Sequence, residues 1–468
     1  MKRCYQGLID GIPDYTAFLT ADELDENTRK LAQAYPETTS VFEIGKTREG
    51  RSLLCLKIGS EEKHALMFGC PHPNEPIGTM FLEYFTKCLA QDAELRRELG
   101  YTWYIVKVWD VDGLVKNEGW LKGPFTLYNY GRHFYRPAGY QQVDWTFPID
   151  YKQLHFHDVL PETEAMAKLI DQVKPEFIYA LHNAGFGGTY WFESEPTPEI
   201  YEQLQGIPRK YGLPLSLGAA ESPSNTEFAP AIFKCGGAQD EYDYIERFGS
   251  EEDVSALSEL RFGDTSASYA YKRHKAFTLL TELPYFYDRR IEDLSPSNMT
   301  RLEVRQQSFK ENLEINNDLH RIIQMSERWI SKTDPYIAAV KAFAQDGNGQ
   351  ASLNEAERDP AFQELASESE KITELVISKF YKMICYGMLV RANEEALKQS
   401  TKDTNTVRMN DIQAGYEAAL QGLKAITAFL EDNLQYNVIP IRKLIAVQLE
   451  SGLAVIEYLK THRTEGIG

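Results

Sequence analysis

The chain has 468 residues, of which 43% are hydrophobic and 25% are charged, as expected for a globular protein of two or three domains. Its formal net charge of −19 at pH 7 argues against a nucleic-acid partner and against an anionic membrane surface, since both require concentrated Lys and Arg. The six cysteines are scattered without a Cys-x-x-Cys pair, and we see neither an apolar leader nor a stretch of about 18 apolar residues, so we expect a cytoplasmic protein without disulfides.

The first two thirds of the chain alternate between short apolar runs and helical patterns. The predicted strands are Val41–Ile44, Leu53–Ile58, His64–Cys70, Trp103–Val108, Phe177–Leu181 and Phe277–Leu280. The predicted helices are 21–35, Ile77–Ala90 and Glu162–Val173. Strands that alternate with helices predict an α/β fold, in which a mixed sheet is flanked by helices.

The pattern changes after Glu327 and becomes helical almost throughout. Thr333-Asp334-Pro335 is a helix-start signal, with Pro at the first helical position, and apolar residues then recur at helical spacing. We therefore predict an α/β domain over residues 1–332 and an all-helical domain of unknown role over residues 333–468. The helical domain could cover a site, form an oligomer or bind a partner, although its apolar stripes mostly indicate its own core.

Two histidines each follow an apolar strand directly. His72, with Glu75 three residues later, follows His64–Cys70, and His182 follows Phe177–Leu181. In open α/β sheets, binding sites lie beyond the carboxyl ends of the strands. The three side chains could therefore form a zinc site of two histidines and one glutamate, with a fourth position left open.

Several short motifs accompany these three residues in a fixed order. They are Gly45-Lys46 with Gly50-Arg51, Asp110-Val111-Asp112-Gly113, Tyr135-Arg136, Pro161-Glu162-Thr163, and Glu282 within Phe277–Leu283. With these motifs the chain resembles the zinc carboxypeptidase family, of the carboxypeptidase A type, over about residues 14–330. Each motif alone is weak, but their common order and spacing make the resemblance specific.

The resemblance implies a carboxypeptidase-like fold, a cofactor and a mechanism. It implies one zinc ion (Zn²⁺) per chain, held by His72, Glu75 and His182. It assigns Glu282 as the general base that takes a proton from water, and Arg136 as the positive charge that stabilises the oxyanion. Arg132 competes with Arg136 for that role. The implied substrate is a peptide or an N-acyl compound.

One motif departs from the family pattern. Where the family carries Asn-Arg-Asn-Phe-Pro, whose Asn and Arg grip the terminal carboxylate of the substrate, this chain has Asp144-Trp145-Thr146-Phe147-Pro148. We therefore expect Asp144 and Trp145 to bind substrate and to disfavour a plain free carboxylate, unless Arg132 or Arg273 occupies the space of the missing Arg. The candidates for the family's mobile tyrosine are Tyr242, Tyr244, Tyr269 and Tyr271.

These residues leave three functions open. The leading hypothesis is a zinc metallopeptidase of the carboxypeptidase type that hydrolyses a peptide or amide bond. The second is a deacylase or amidase that acts on small N-acyl amino acids. The third is a non-catalytic protein that binds zinc or peptide at a degenerate site. The ligand set and Glu282 favour an enzyme, whereas the missing Arg keeps the third hypothesis open.

Overall fold

A large mixed sheet forms the centre of the computed structural model, which describes residues 5–218, 222–250, 262–345, 349–399 and 405–462. The strands are β1 Thr39–Lys46, β2 Ser52–Ile58, β3 Lys63–Gly69, β4 Tyr101–Val106, β5 Ile149–Tyr151, β6 Leu154–Phe156, β7 Phe177–Phe186, β8 Tyr190–Glu193, β9 Glu227–Ala229, β10 Ile232–Lys234, β11 Phe277–Tyr287, β12 Pro296–Thr300, β13 Leu365–Ser367 and β14 Asn437–Val438.

Ten of these strands make up the central sheet. Their order is β1-β2-β4-β3-β7-β11-β8-β10-β9, and β14 pairs with the end of β11. The four strands β4, β3, β7 and β11 are parallel to one another, whereas β1, β2 and β8 join antiparallel. The predicted mixed sheet is therefore confirmed. Strands β7 and β11 extend past their predicted ends, because they continue as a pair beyond Leu181 and Leu280, and β1 is two residues longer at each end than the predicted Val41–Ile44.

Helices cover the sheet and form most of the chain after residue 300. They are α1 Gln6–Asp10, α2 Ala21–Ala34, α3 Ile77–Gln91, α4 Ala93–Leu99, α5 Val111–Leu121, α6 Leu127–His133, α7 Pro161–Val173, α8 Tyr201–Lys210, α9 Ala238–Phe248, α10 Ser266–His274, α11 Arg301–Ser326, α12 Pro335–Phe343, α13 Gly349–Arg358, α14 Glu368–Ile372, α15 Ser378–Gln399, α16 Thr406–Asn433 and α17 Ile441–His462. Within the described ranges, no helix has both the length and the apolarity needed to cross a membrane.

The helical region and the sheet share one hydrophobic core. The largest group of contacting buried apolar residues includes members of both, from Ile12 to Leu459. The last helix, α17, packs against α3 and the sheet, and there Tyr179 of β7 donates a hydrogen bond to the carbonyl of Gln448 over 2.7 Å. Helix α11, which begins before residue 332, packs against α13, α15 and α16. The boundary at residue 332 remains a prediction, within a core that runs across it.

A buried carboxyl group in β8 gives the sheet a pH-dependent stability. Glu193 is 0% exposed, and burial raises its pKa to about 7, although Thr197 donates a hydrogen bond to it. Between about pH 4.5 and 7 the folded state therefore holds a proton that the unfolded chain has lost, so the free energy of unfolding should fall as the pH rises through this range.

We expect Glu193→Gln to raise the free energy of unfolding at pH 8 by roughly 2–3 kcal/mol, and at pH 4 by little. Urea unfolding of both proteins at the two pH values measures this; an equal effect at both would contradict it.

Candidate active site

Three adjacent parallel strands bring the predicted site residues together. Strand β3 ends at Gly69, and Cys70 turns the chain out of the sheet with a φ of 51°, so His72 lies just past the strand end. In the next two strands, His182 of β7 pairs in register with Glu282 of β11. The carboxyl-end halves of these strands face the same edge of the sheet, as expected for a site in an open α/β fold.

His72, Glu75 and His182 converge as a buried group. The Nδ1 atom of His72 lies 3.0 Å from Oε1 of Glu75, and Nδ1 of His182 lies 3.1 Å from its Oε2. One ligand atom from each residue falls within 4.8 Å of the others, and among the described residues this is the group of three that could hold a metal ion. Two imidazole nitrogens and one carboxylate are the donor set of a catalytic zinc site.

The electrostatics of this group also fit a cation. Burial, followed by the charge of Arg136, lowers the pKa of His72 to about 4, which keeps its imidazole neutral as a metal ligand requires. Burial opposes protonation of His182, but hydrogen bonding to Asp144 and Glu75 raises its pKa to about 10. Burial likewise opposes ionisation of Glu75, but His72 and His182 hold the pKa of Glu75 well below its usual range. The carboxylates that draw a proton to His182 would equally favour a divalent ion.

A hydrogen-bond network fixes the loop that carries His72 and Glu75. Asn183 accepts a hydrogen bond from the backbone N–H of Ile77 at 3.1 Å, at the start of α3. The hydroxyl of Tyr285 lies 2.8 Å from the carbonyl of Asn74 and 2.9 Å from Oδ1 of Asn183. The sequence pattern indicates no role for Tyr285, because its partners Asn74 and Asn183 lie far away along the chain.

Helix α3 comes unusually close to β7 at this point. A Cβ atom added to Gly78 would lie 2.4 Å from Cβ of Leu181, so only glycine allows this approach. The close contact lets Asn183, two residues after Leu181, reach the first turn of α3.

Asp144 is buried behind His182 and is only 4% exposed. Its Oδ1 accepts a hydrogen bond from the backbone N–H of Ser266 at 3.0 Å, and its Oδ2 lies 3.5 Å from Nε2 of His182. With Nδ1 of His182 directed to the ligand group, Nε2 is the nitrogen that faces the carboxylate of Asp144. The sequence pattern predicts a substrate contact for Asp144 and does not indicate this contact with His182.

Trp145 and Arg136 flank His72 on the same side. The ring of Trp145 lies 5.3 Å from that of His72, and the guanidinium of Arg136 lies 5.3 Å from the ring of Trp145. Arg136 also donates hydrogen bonds to Glu75 at 3.0 Å and to Gln142 at 3.1 Å. These contacts hold a positive charge next to the ligand group, and the oxyanion role of Arg136 stays a prediction.

The two arginines considered as replacements for the missing Arg lie elsewhere. Arg132 pairs with Glu394 of α15 at 2.6 Å, and Arg273 pairs with Asp171 at 3.0 Å and stacks on Tyr269. Neither residue is part of the cavity wall at the site. The space beside Asp144 is therefore not filled by Arg132 or Arg273.

Glu282 lies beside the ligand group and is only 6% exposed. Its Oε1 is 3.8 Å from Nδ1 of His182, so this carboxylate lies next to the three ligands without being one of them. Its position in the middle of β11, between β7 and β8, fixes its backbone on both sides.

A cavity of ≈ 1270 Å³ opens over these residues. Its described wall includes His72, Asp144, Trp145, His182 and Glu282. A second part of the wall comes from the chain beyond residue 326, namely Glu327, Arg328, Ser331, Lys332, Ile337, Ala338, Lys341, Ala342, Phe343 and Gln345. The helical region therefore forms part of the site cavity, one of the three roles left open for it.

The described wall also contains a tyrosine that the sequence did not indicate. Tyr140 lines the cavity, as Trp145 does, whereas the four candidates for the family's mobile tyrosine lie outside the described wall. Those candidates are Tyr242, Tyr244, Tyr269 and Tyr271. The signal that could have identified Tyr140 is its proximity in sequence to Tyr135-Arg136.

Other motifs of the resemblance meet in a support network away from the cavity. Thr47 donates a hydrogen bond to Asp112 at 2.8 Å, and Arg48 donates to Glu162 through its backbone N–H at 2.8 Å and its Nε at 3.1 Å. Trp109 donates to the carbonyl of Glu162 at 3.1 Å. These contacts tie the end of β1 to α5 and α7, and none of the residues that make them is in the described cavity wall.

Comparison with known families and proteins gives a consistent likeness. The family model described as zinc carboxypeptidase matches residues 24–284, more than half of the chain. Human carboxypeptidase A6 is 32% identical over 108 residues, which are 21% of this chain and 25% of that protein. Human mast cell carboxypeptidase A is 30% identical over 126 residues, which are 24% of this chain and 30% of that protein. The matched segments thus span less than a third of these curated relatives.

Solved structures of similar proteins were also found. A metallo-carboxypeptidase from Burkholderia cenocepacia is 17% identical, with a TM-score of 0.33, over 58% of this chain and 60% of that chain. Carboxypeptidase A from Helicoverpa armigera is 17% identical, with a TM-score of 0.36, over 57% of this chain and 65% of that chain.

Proposed function

The chain belongs to the zinc carboxypeptidase family, and from this membership we propose that it is a zinc-dependent hydrolase that cleaves a peptide or amide bond. The observation that carries the proposal is the convergence of His72, Glu75 and His182, with Glu282 in register beside His182. Without Glu282 beside them, the three ligands could bind a metal ion, but no general base would be in place to take a proton from water.

The residues around the ligand group divide the chemistry between them. Zinc held by His72, Glu75 and His182 supplies Lewis-acid activation of water and of a carbonyl group. Glu282 accepts the proton of the attacking water and returns it to the leaving nitrogen. Arg136, held by Glu75 and Gln142, provides a positive charge for the oxygen that becomes negative during attack.

Asp144 and Trp145 shape the specificity of this site. Asp144 lines the cavity and, through its contact with Nε2 of His182, also orients that imidazole. An anionic group brought beside Asp144 meets like charge, and neither Arg132 nor Arg273 is there to offset it. Trp145 offers a flat apolar face that suits a neutral or basic group instead.

We therefore expect a peptide with an amidated C-terminus to be cleaved at least about tenfold faster, in kcat/KM, than the same peptide with a free carboxylate. Trp145→Arg should narrow this difference, because it adds a guanidinium while leaving Asp144 in contact with His182. Matched peptide pairs measure both effects. A preference of the native protein for the free acid would refute this part of the proposal.

Metal analysis combined with a peptide-library digest tests the proposed function as a whole. Stoichiometric zinc and cleavage of library peptides would support it. Zinc with turnover only of N-acyl amino acids would favour the deacylase alternative. Zinc without turnover of either class would indicate a binding protein.

Two further parts of the proposal concern the setting of the protein. We propose that the protein is cytoplasmic, because its cysteines are scattered along the sequence and the five in the described part of the chain are free thiols. We also propose a peptide or N-acyl substrate, no nucleic-acid or membrane partner, and an oligomer, if one forms, through the helical region.

A further inference from the structure

The two parts of the cavity wall carry opposite charges. Every Lys or Arg in its described wall, namely Arg328, Lys332 and Lys341, comes from the segment 327–345. The rest of the described wall contributes the acids Asp144, Asp240, Glu241 and Glu282, whereas the segment 327–345 contributes one acid, Glu327, against three cations. The catalytic side thus suits a metal ion and neutral groups, whereas the segment 327–345 presents cations to whatever occupies the cavity.

These cations are available to a ligand. Lys332 is exposed, and in the ranges that the structure describes it has no ion-pair or hydrogen-bond partner. Lys341 pairs with Glu327 at 2.5 Å, but the two side chains are 49% and 38% exposed. Arg328 pairs with Asp411, again with a largely exposed guanidinium. Exposed ion pairs contribute little free energy, so a carboxylate of a substrate can replace the acidic partner at low cost.

The segment is held firmly against the catalytic part of the chain. The ring of Tyr336, at the start of α12, lies 5.3 Å from that of Tyr135, next to Arg136. Arg391 stacks on Tyr336 at 4.5 Å and donates hydrogen bonds to the carbonyls of Lys116 and His133 at 2.8 and 2.9 Å. These contacts fix the start of α12, the helix that carries Lys341, against the catalytic part of the chain.

We propose that the segment 327–345 is an anion-binding subsite, and that the substrates of this protein carry a carboxylate side chain away from the bond that is cleaved. The inference rests on the proposed function and adds a substrate class to it. Lys332 and Lys341 bind the carboxylate, and Glu327 competes with it for Lys341. The helical region is then a determinant of specificity within the catalytic site.

N-acetylated, Ala-rich pentapeptide amides, in which one Ala is replaced in turn by Glu or by its neutral isostere Gln, test the subsite. We expect the native protein to favour Glu over Gln at one or two positions by about fivefold in kcat/KM. The Lys332→Gln, Lys341→Gln double variant should lose this preference. Glu327→Gln should increase it, because it removes the competitor of Lys341. Lys168→Gln, which alters an exposed lysine outside the cavity wall, is the matched control and should change nothing.

Measurements of peptide binding separate the test of the subsite from the test of catalysis. Calorimetry with the Glu282→Gln protein and the same peptides gives the ratio of Kd values for Glu and Gln without turnover. The proposed function fails and the subsite stands if no peptide is cleaved, but the preference for Glu in the Kd values is lost in the double lysine variant and increased by Glu327→Gln. Equal Kd values for every Glu and Gln pair, or a preference that survives the double lysine variant, would overturn the subsite.

Discussion

Replacing Glu282 by Gln is expected to leave the zinc content unchanged while lowering kcat by about 10²–10⁴-fold. The side chain keeps its shape but can no longer accept a proton. Glu282 stands outside the group of His72, Glu75 and His182, so the substitution leaves the metal ligands intact. Zinc per chain, measured by elemental analysis, and kcat on the best library peptide give the two readings.

Glu193→Gln is the matched control for this variant. Glu193 is a buried glutamate in β8, the strand that pairs with β11 on the side opposite β7, and it is not part of the cavity wall. Both substitutions remove one buried carboxyl group from neighbouring strands, so they share any general effect on the sheet. We expect the rate to fall only in Glu282→Gln. A Glu282→Gln protein with a near-native rate would assign the base to another residue.

Replacing both His72 and His182 by Ala is expected to lower the zinc content from about one ion per chain to near zero, and to abolish turnover with it. The two imidazoles provide both nitrogen ligands, and the remaining Glu75 offers one carboxylate, which alone binds zinc weakly. The measurement is zinc per chain after dialysis against a weak chelator.

The control for this variant also removes two histidines. His155 and His157 are exposed, and both contact Asp150, at 2.9 and 3.0 Å. Their replacement by Ala should leave the zinc content and the rate as in the native protein. Full zinc retention in the His72→Ala, His182→Ala protein would disprove the metal site, and loss of zinc in the control would relocate it.

The sheet and the metal group could be predicted because their signals are local. Apolar runs marked β3, β7 and β11, and each of His72, His182 and Glu282 stands at or near the end of such a run. Parallel strands place their carboxyl ends at one edge, so these local patterns were enough to bring the two histidines together, and Glu75 was indicated by its position three residues after His72. The family resemblance then added the roles of Glu282 and Arg136.

The specificity features could not be predicted in this way. The contact between Asp144 and His182 and the wall formed by residues 327–345 depend on how distant segments pack. Lys332 lies 150 residues after His182 in the chain, and no periodicity links their positions. The extension of β7 beyond Leu181 was also missed, because its polar and glycine-rich sequence does not resemble a strand and is stabilised by pairing with β11.

The packing of α17 beneath the sheet bears on how the protein is made in the cell. Tyr179 and its partner Gln448 are separated by 269 residues, and Trp191 donates a hydrogen bond to Ser451 at 3.1 Å. While a ribosome still holds residues 441–462, one face of the central strands lacks its cover and exposes apolar surface. We expect the nascent chain to engage chaperones until α17 emerges, so hydrolytic activity should arise only after the helical region has been synthesised.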